Sequence, residues 1–197
     1  IAITVITAGA TNGDVIVSAT TGAITDANAA TLNVTADGFR AVAGATGVAT
    51  EADPLETSVN TIEGSAVGGF FVTNDKSAAV DNVALGLGDT DGTTGISSTG
   101  TVEITVTNAL TLEDPIVANG QLVALTGTNG AILSNSTDPA DNDDIDINVG
   151  SSGTIALRSG ANIGVIGNPV EIDAGTLAFT ATGDVFVNDR VSGLVIN

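Results

Sequence analysis

The chain has 197 residues, with 23 acidic and 4 basic side chains, and its formal net charge at pH 7 is -19. Nucleic-acid backbones repel such a surface, so a nucleic-acid partner is not expected. Cys, His, Met, Trp and Tyr are absent, which excludes disulfide scaffolds and catalysis by His or Cys. No apolar run approaches the roughly 18 residues of a membrane helix, so no membrane span is expected.

Short alternating segments follow one another along the whole chain. Short β-branched segments occur at 15–17 (VIV) and at 102–106 (VEITV), where apolar and polar residues alternate. Turn-forming Asn-Gly pairs interrupt the alternation at Asn12, Asn119 and Asn129. Because no long window has the apolar spacing of a helix, the sequence predicts an all-β chain with essentially no helix.

A phrase of a small residue, a polar residue and an aliphatic residue recurs with a period of about 20 residues. The copies read GDVIVS, ATLNVT, GTVEIT, GQLVALT, GTIALR and GTLAFT, and they begin at positions 13, 30, 100, 120, 153 and 175. One coil of this size cannot bury its own apolar residues, whereas stacked coils can. The sequence therefore predicts a β-solenoid of roughly nine to ten coils, with about 20 residues in each.

A longer repeat overlies the short one. Residues 54–72 align with 169–187 without a gap, and Pro54 then corresponds to Pro169. We interpret 1–197 as a single solenoid segment with two approximate long repeats, about 13–75 and about 120–190. A tandem of immunoglobulin-like sandwiches is the alternative, because turn signals every 8 to 12 residues fit that fold too.

The second long repeat resembles a known group of sequences. GVIGNPVEI at 164–172, GTL at 175–177 and GDVFVN at 183–188 are similar to repeats of large filamentous-haemagglutinin-like bacterial adhesins. The resemblance implies a right-handed parallel β-helix that is exported and either displayed at the cell surface or released from it. The first repeat departs from the pattern, with TEAD at 50–53 in place of the Gly-Asn turn. That family has no catalytic residues to carry over.

One dense acidic cluster, DPADNDDID at 138–146, is a candidate metal site. Its possible calcium ligands are Asp141, Asp143, Asp144 and Asp146, because calcium prefers carboxylate oxygens. The spacing matches neither an EF-hand nor a glycine-rich nonapeptide roll, and a solvated loop between coils is the other interpretation. The segment 88–92 (GDTDG) is a weaker candidate. No other cofactor is expected.

Two further features have structural and functional interpretations. Lys76 and Arg190 occupy equivalent places in the long repeats, where each could mark a binding spot or, as we favour, lie across neighbouring carboxylates on the outer wall. Asn33 and Asn135 begin glycosylation triplets, which are common by chance in a threonine-rich chain.

The sequence favours a structural protein over an enzyme. We expect an extracellular or bacterial cell-surface rod that acts as the stalk of an adhesin or filament. A self-assembling filament or surface-layer subunit is the alternative, and a carboxylate-based polysaccharide-degrading enzyme is a distant third. The chain starts and stops within apparent strands, so we expect each end to meet further coils of the same polypeptide or an identical subunit. Receptors on host or neighbouring cells are possible partners.

Overall fold

The computed structural model describes residues 1–9, 11–83, 94–135, 145–191 and 193–197. Within them it contains twenty β-strands and no helix. The strands are β1 (Ala2–Ile3), β2 (Ile6–Thr7), β3 (Val15–Ala19), β4 (Thr25–Asp26), β5 (Val34–Thr35), β6 (Gly38–Ala43), β7 (Leu55–Ser58), β8 (Thr61–Ala66), β9 (Phe70–Asn74), β10 (Ala78–Val80), β11 (Ile96–Ser98), β12 (Val102–Val106), β13 (Leu110–Leu112), β14 (Ile116–Val117), β15 (Leu122–Gly127), β16 (Ile132–Ser134), β17 (Ile147–Ser159), β18 (Val170–Ala181), β19 (Val187–Asp189) and β20 (Val195–Ile196).

The strands pair in parallel with strands that lie further along the chain. Eighteen of the described strands belong to one sheet, and β1 pairs with β4 in a second. For example, β12 lies between β9 and β15, and both pairings are parallel over five residues. Parallel partners cannot be joined by a tight hairpin, so the chain must travel around before it returns beside the earlier strand.

The pairings build a stack of layers in register. Eight successive steps link nine layers from the first strand to the last. The steps are Ala2–Thr25, Ile24–Val48, Val48–Phe70, Phe70–Val102, Val102–Val123, Val123–Ile155, Ile155–Leu177 and Leu177–Ile196. Consecutive layers in parallel sheets lie about 4.8 Å apart.

The interval between layers is not constant. Phe70 pairs with Val102 and Val123 pairs with Ile155, each 32 residues further along, whereas Ile155 pairs with Leu177 after only 22. The two long intervals include 84–93 and 136–144, which lie outside the described residues. The predicted period of about 20 residues therefore holds for some layers, and others contain about ten residues more.

The core consists of aliphatic columns that run through the layers. In β12 the side chains of Val102, Ile104 and Val106 are fully buried, and the residues between them are half-buried. The column through Val102 continues at Val123, Ile155 and Leu177, all buried. Each fully buried aliphatic side chain contributes about 1.5–3 kcal/mol, so the stacked layers stabilise one another where one layer alone could not.

Buried asparagine side chains satisfy the backbone where the chain leaves a layer. Asn74 is fully buried. Its Oδ1 accepts hydrogen bonds from Val59 N–H at 2.9 Å and Thr57 Oγ1 at 3.0 Å, and its Nδ2 donates to Val59 O at 3.1 Å. A buried backbone group without a partner is costly. Asn74 therefore supplies at the corner the hydrogen bonds that a neighbouring strand supplies elsewhere.

The all-β prediction is confirmed for the described residues. The large parallel sheet is compatible with a β-solenoid, whereas immunoglobulin-like sandwiches are antiparallel. The part of the chain that the structure describes contains no helix long and apolar enough to span a membrane.

Candidate functional site

The outer surface of β9, β12, β15, β17 and β18 carries a regular array of threonines. Strand alternation turns every second side chain of these strands away from the core. One outward row is Thr73, Thr105, Thr126, Arg158 and Thr180, paired in register from strand to strand. Two positions further along the chain lie Thr107, Thr128, Gly160 and Thr182. We call this surface the threonine face.

A shallow groove of about 530 Å³ crosses the threonine face. A second depression of about 340 Å³ adjoins it and shares Thr126, Arg158 and Thr180. Its floor includes the outward side chains of Ala124, Ala156 and Ala178, which are paired in one row. The first groove is lined by Glu103, Thr105, Thr126, Thr128, Arg158, Ser159, Gly160, Thr180 and Thr182.

Gly160 lines the groove and leaves a gap in the array of threonine side chains. A Cβ at this position would lie 2.3 Å from the carbonyl oxygen of Thr128, so the close approach of the neighbouring layer requires glycine. Buried Ser159 fixes the end of β17, because its Oγ lies 2.9 Å from the carbonyl oxygens of both Gly130 and Asn162. The gap in the threonine array therefore results from close packing of the backbone around Gly160.

Arg158 differs from the other two arginines of the chain, each of which forms an ion pair. The Arg40 Nε lies 3.4 Å from Glu63 Oε1, and the Arg190 Nη1 lies 3.2 Å from Glu171 Oε1. Hydrogen bonds from Asn60 Nδ2 and Asn12 N–H lower the pKa of Asp37, and the charge of Lys76 lowers it further. Arg158 is exposed and forms no hydrogen bond or ion pair with any residue that the structure describes. It is a cation without a partner, surrounded by hydroxyl groups.

The carboxylate that shares the groove is Glu103. Burial raises the pKa of Glu103, and the charge of Glu51 raises it further. Glu103 lies in the row that also contains Phe71 and Ala124, beside the row of Arg158 and two layers away from it. The groove therefore has an acidic end at Glu103 and a basic centre at Arg158.

Three of the four predicted calcium ligands, Asp141, Asp143 and Asp144, lie outside the described residues, as does the weaker candidate segment 88–92. Asp146 is described and buried. Its Oδ1 accepts from Ser134 Oγ at 3.1 Å, and its Oδ2 accepts from Glu171 N–H at 2.7 Å. Within the described ranges no three acidic side chains come together as a metal site would need. Calcium binding by the acidic cluster stays a prediction.

The interpretation of Arg190 as a structural residue has support. Its guanidinium and Asn188 Nδ2 both approach Glu171 Oε1 at 3.2 Å.

The side chain of Asn33, which begins a glycosylation triplet, is not exposed as an attached sugar would need. Asn33 is fully buried, its Oδ1 accepts from Glu56 N–H at 2.8 Å, and its Nδ2 donates to Ile3 O at 3.1 Å. Asn135 is exposed.

The threonine face and Arg158 were missed as a site in the sequence. The available signal was a Thr-x-Thr pattern at 105–107, 126–128 and 180–182. It places two hydroxyl groups on the same side of a strand. The missing information was the register, which aligns these pairs and sets Arg158 among them.

Comparisons with known proteins give no relative. No family model, no curated protein and no solved structure matches the chain. The resemblance to filamentous-haemagglutinin-like adhesins therefore stays an expectation.

Proposed function

We propose that this chain is a segment of an exported cell-surface rod, a right-handed parallel β-helix that acts as the stalk of an adhesin or filament and carries out no catalysis. The nine parallel layers with continuous aliphatic columns support the proposal. A stack of this kind can be extended by adding layers without any change in its cross-section, which is what a spacer requires.

The charge of the chain suits a rod on a cell surface. A net charge of -19 keeps an elongated molecule soluble and discourages lateral association of like-charged neighbours. The absence of Cys and Met from the sequence leaves no thiol or thioether for oxidation outside the cell. Receptors on host or neighbouring cells would be met elsewhere on the parent molecule or on the outer face of the rod.

Surface location can be tested on the source cells with antibodies raised against the purified chain. We expect the antibodies to stain intact cells and added protease to remove the signal. Staining only after the cells are made permeable would contradict an exported rod. An internal protein of the same cells, stained in parallel, serves as the control for intact membranes.

A self-assembling subunit is the second candidate, favoured by the first and last described layers. Ile1, Val195 and Ile196 are more than half exposed, at 57%, 54% and 64%. The backbone of β20 pairs with β18 on one side only in the described structure. An open strand edge beside exposed aliphatic side chains suits further coils, supplied either by the same polypeptide or by an identical neighbour stacked head to tail.

Light scattering over a range of concentrations separates these candidates. Head-to-tail stacking predicts a mass that rises with concentration and is reduced by Ile196→Lys, with Val67→Lys, at an exposed residue away from β20, as the matched control. A strict monomer would eliminate the self-assembling subunit and leave the stalk proposal.

A further inference from the structure

We propose that the groove around Arg158 binds an otherwise neutral glycan that ends in a single carboxylate-bearing sugar. This goes beyond the role of a rod and does not depend on it, because the isolated chain can be tested. The guanidinium of Arg158 pairs with none of the residues that the structure describes, although the molecule is strongly acidic. Guanidinium groups bind carboxylates through two parallel N–H donors.

The surroundings of Arg158 favour a sugar ligand. Thr126, Thr128 and Thr180 place hydroxyl groups on the groove wall, and each can both donate and accept hydrogen bonds. The alanine row beside them offers a flat apolar strip for the C–H face of a sugar ring. A protein partner would usually insert a large side chain into a deep apolar pocket, and the alanine floor offers no such depth.

The charges around the groove limit the number of acidic groups that a bound ligand can carry. A net charge of -19 repels a polyanion, and Glu103 closes one end of the groove with a carboxyl group. Among the described residues that line the groove, Arg158 is the one cation. One carboxylate on an otherwise neutral chain therefore matches the site, whereas a densely sulfated or uronic-acid polymer would meet net repulsion.

The geometry also sets the expected strength. An exposed ion pair contributes modestly in water, and a shallow groove removes only part of a sugar from solvent. We therefore expect a Kd in the millimolar range for a short oligosaccharide. Several copies of the site on one surface would raise the overall avidity without a change in the groove.

The test is a titration of the full chain with 3′-sialyllactose, monitored by saturation-transfer NMR. A second titration with lactose provides the neutral ligand for comparison. We expect 3′-sialyllactose to bind at least about tenfold more tightly than lactose, and Arg158→Gln to abolish that preference. Lys76→Gln removes the same charge away from the groove and should leave binding within about twofold. Thr128→Val keeps the shape, removes one hydroxyl group and should weaken both sugars several-fold.

Each contrary result is informative. Equal loss in the Arg158 and Lys76 variants would reveal general charge attraction and overturn the site. Tighter binding of a glutamate-rich peptide than of 3′-sialyllactose would assign the groove to an acidic protein segment. Unaltered sialyllactose binding by a folded Arg158→Gln variant, checked by circular dichroism, would also refute the proposal.

Discussion

Each side chain in the layers faces either the packed interior or solvent. A substitution that introduces a charge distinguishes these two orientations. Ile155 and Leu177 are almost completely buried, whereas Thr182 is exposed and its hydroxyl donates to the Gly160 carbonyl. We expect Leu177→Asp or Ile155→Asp to lower stability by about 4 kcal/mol or more, because the new charge is buried without a partner. Thr182→Asp should stay within about 1 kcal/mol of the original chain. Urea unfolding measures all three.

The matched control for these variants is Leu177→Ala, which removes volume but adds no charge. It should cost about 2–4 kcal/mol, less than Leu177→Asp. Similar stability of Leu177→Asp and Thr182→Asp would mean that the inward and outward faces are misassigned.

Glu103 predicts a pH-dependent effect on stability. Its pKa is raised above the ordinary 4.5 by burial and by Glu51, so the folded chain holds this proton to a higher pH than the unfolded chain does. The favourable contribution is present in full below about pH 4.5 and is lost as the pH rises through the folded pKa. Glu103→Gln should therefore raise the melting temperature at pH 7 by roughly 1–2 °C and have little effect at pH 4.

The control for this effect is Glu113→Gln, at an exposed loop position. It removes the same charge from the molecule without the burial. An equal rise in melting temperature for both variants at pH 7 would show that net charge, and not the surroundings of Glu103, sets the effect.

Residues in strands were predictable because alternation carries their orientation. The inward placement of Ile155 and Leu177 follows from the phrase in which each occurs. The burial of Asn74 was not predictable in this way. Its role depends on Thr57 and Val59 in the preceding layer, and a single sequence does not reveal which backbone groups a corner leaves unpaired.

A buried ion pair joins Arg40 of β6 to Glu63 of β8, two residues that are paired in register. Val83 N–H donates to Glu63 Oε2 at 2.8 Å, and Val83 is buried against Gly38. Arg40 and Glu63 are almost fully buried, with 3% and 0% of the side chains exposed. Alternation places both side chains on the outward side of their strands, yet they form an interior ion pair.

Removal of one member of this pair should be costly. Glu63→Leu leaves the Arg40 charge buried, and we expect a loss of about 3–5 kcal/mol. The double variant Arg40→Met with Glu63→Leu should recover most of that loss, because two apolar side chains replace both charges. Chemical denaturation of the native chain, both single variants and the double variant gives the coupling. Additive losses in the double variant would contradict a buried pair.

The number of residues in each layer could not be predicted from the sequence. Short strands and turns could be recognised from alternation and Asn-Gly pairs, yet their spacing suggested coils of about 20 residues throughout. The register instead places Val102 a full 32 residues after Phe70. Extra residues between strands leave the pattern within each strand intact, so local periodicity could not assign them to one layer.

For the whole molecule, the repeat was enough to predict stacking. A unit of this size has to bury its apolar side on a neighbouring copy, and the structure has nine parallel layers along one column. The groove could not be predicted, because it depends on which threonines, alanines and arginine become neighbours. Those neighbours are separated by 21 to 32 residues and are set by the lengths of the connecting loops.

A disulfide test addresses the parallel register directly, since the chain has no Cys of its own. Thr105 and Thr126 are paired in adjacent layers, where the Cα atoms of parallel strands lie about 4.8 Å apart, within disulfide reach. Thr105 and Thr180 lie three layers apart, or about 14 Å. Under mild oxidation, intact mass and non-reducing electrophoresis should show an intramolecular disulfide in Thr105→Cys with Thr126→Cys, and none in Thr105→Cys with Thr180→Cys. A disulfide in the second pair but not in the first would contradict the stacked parallel layers.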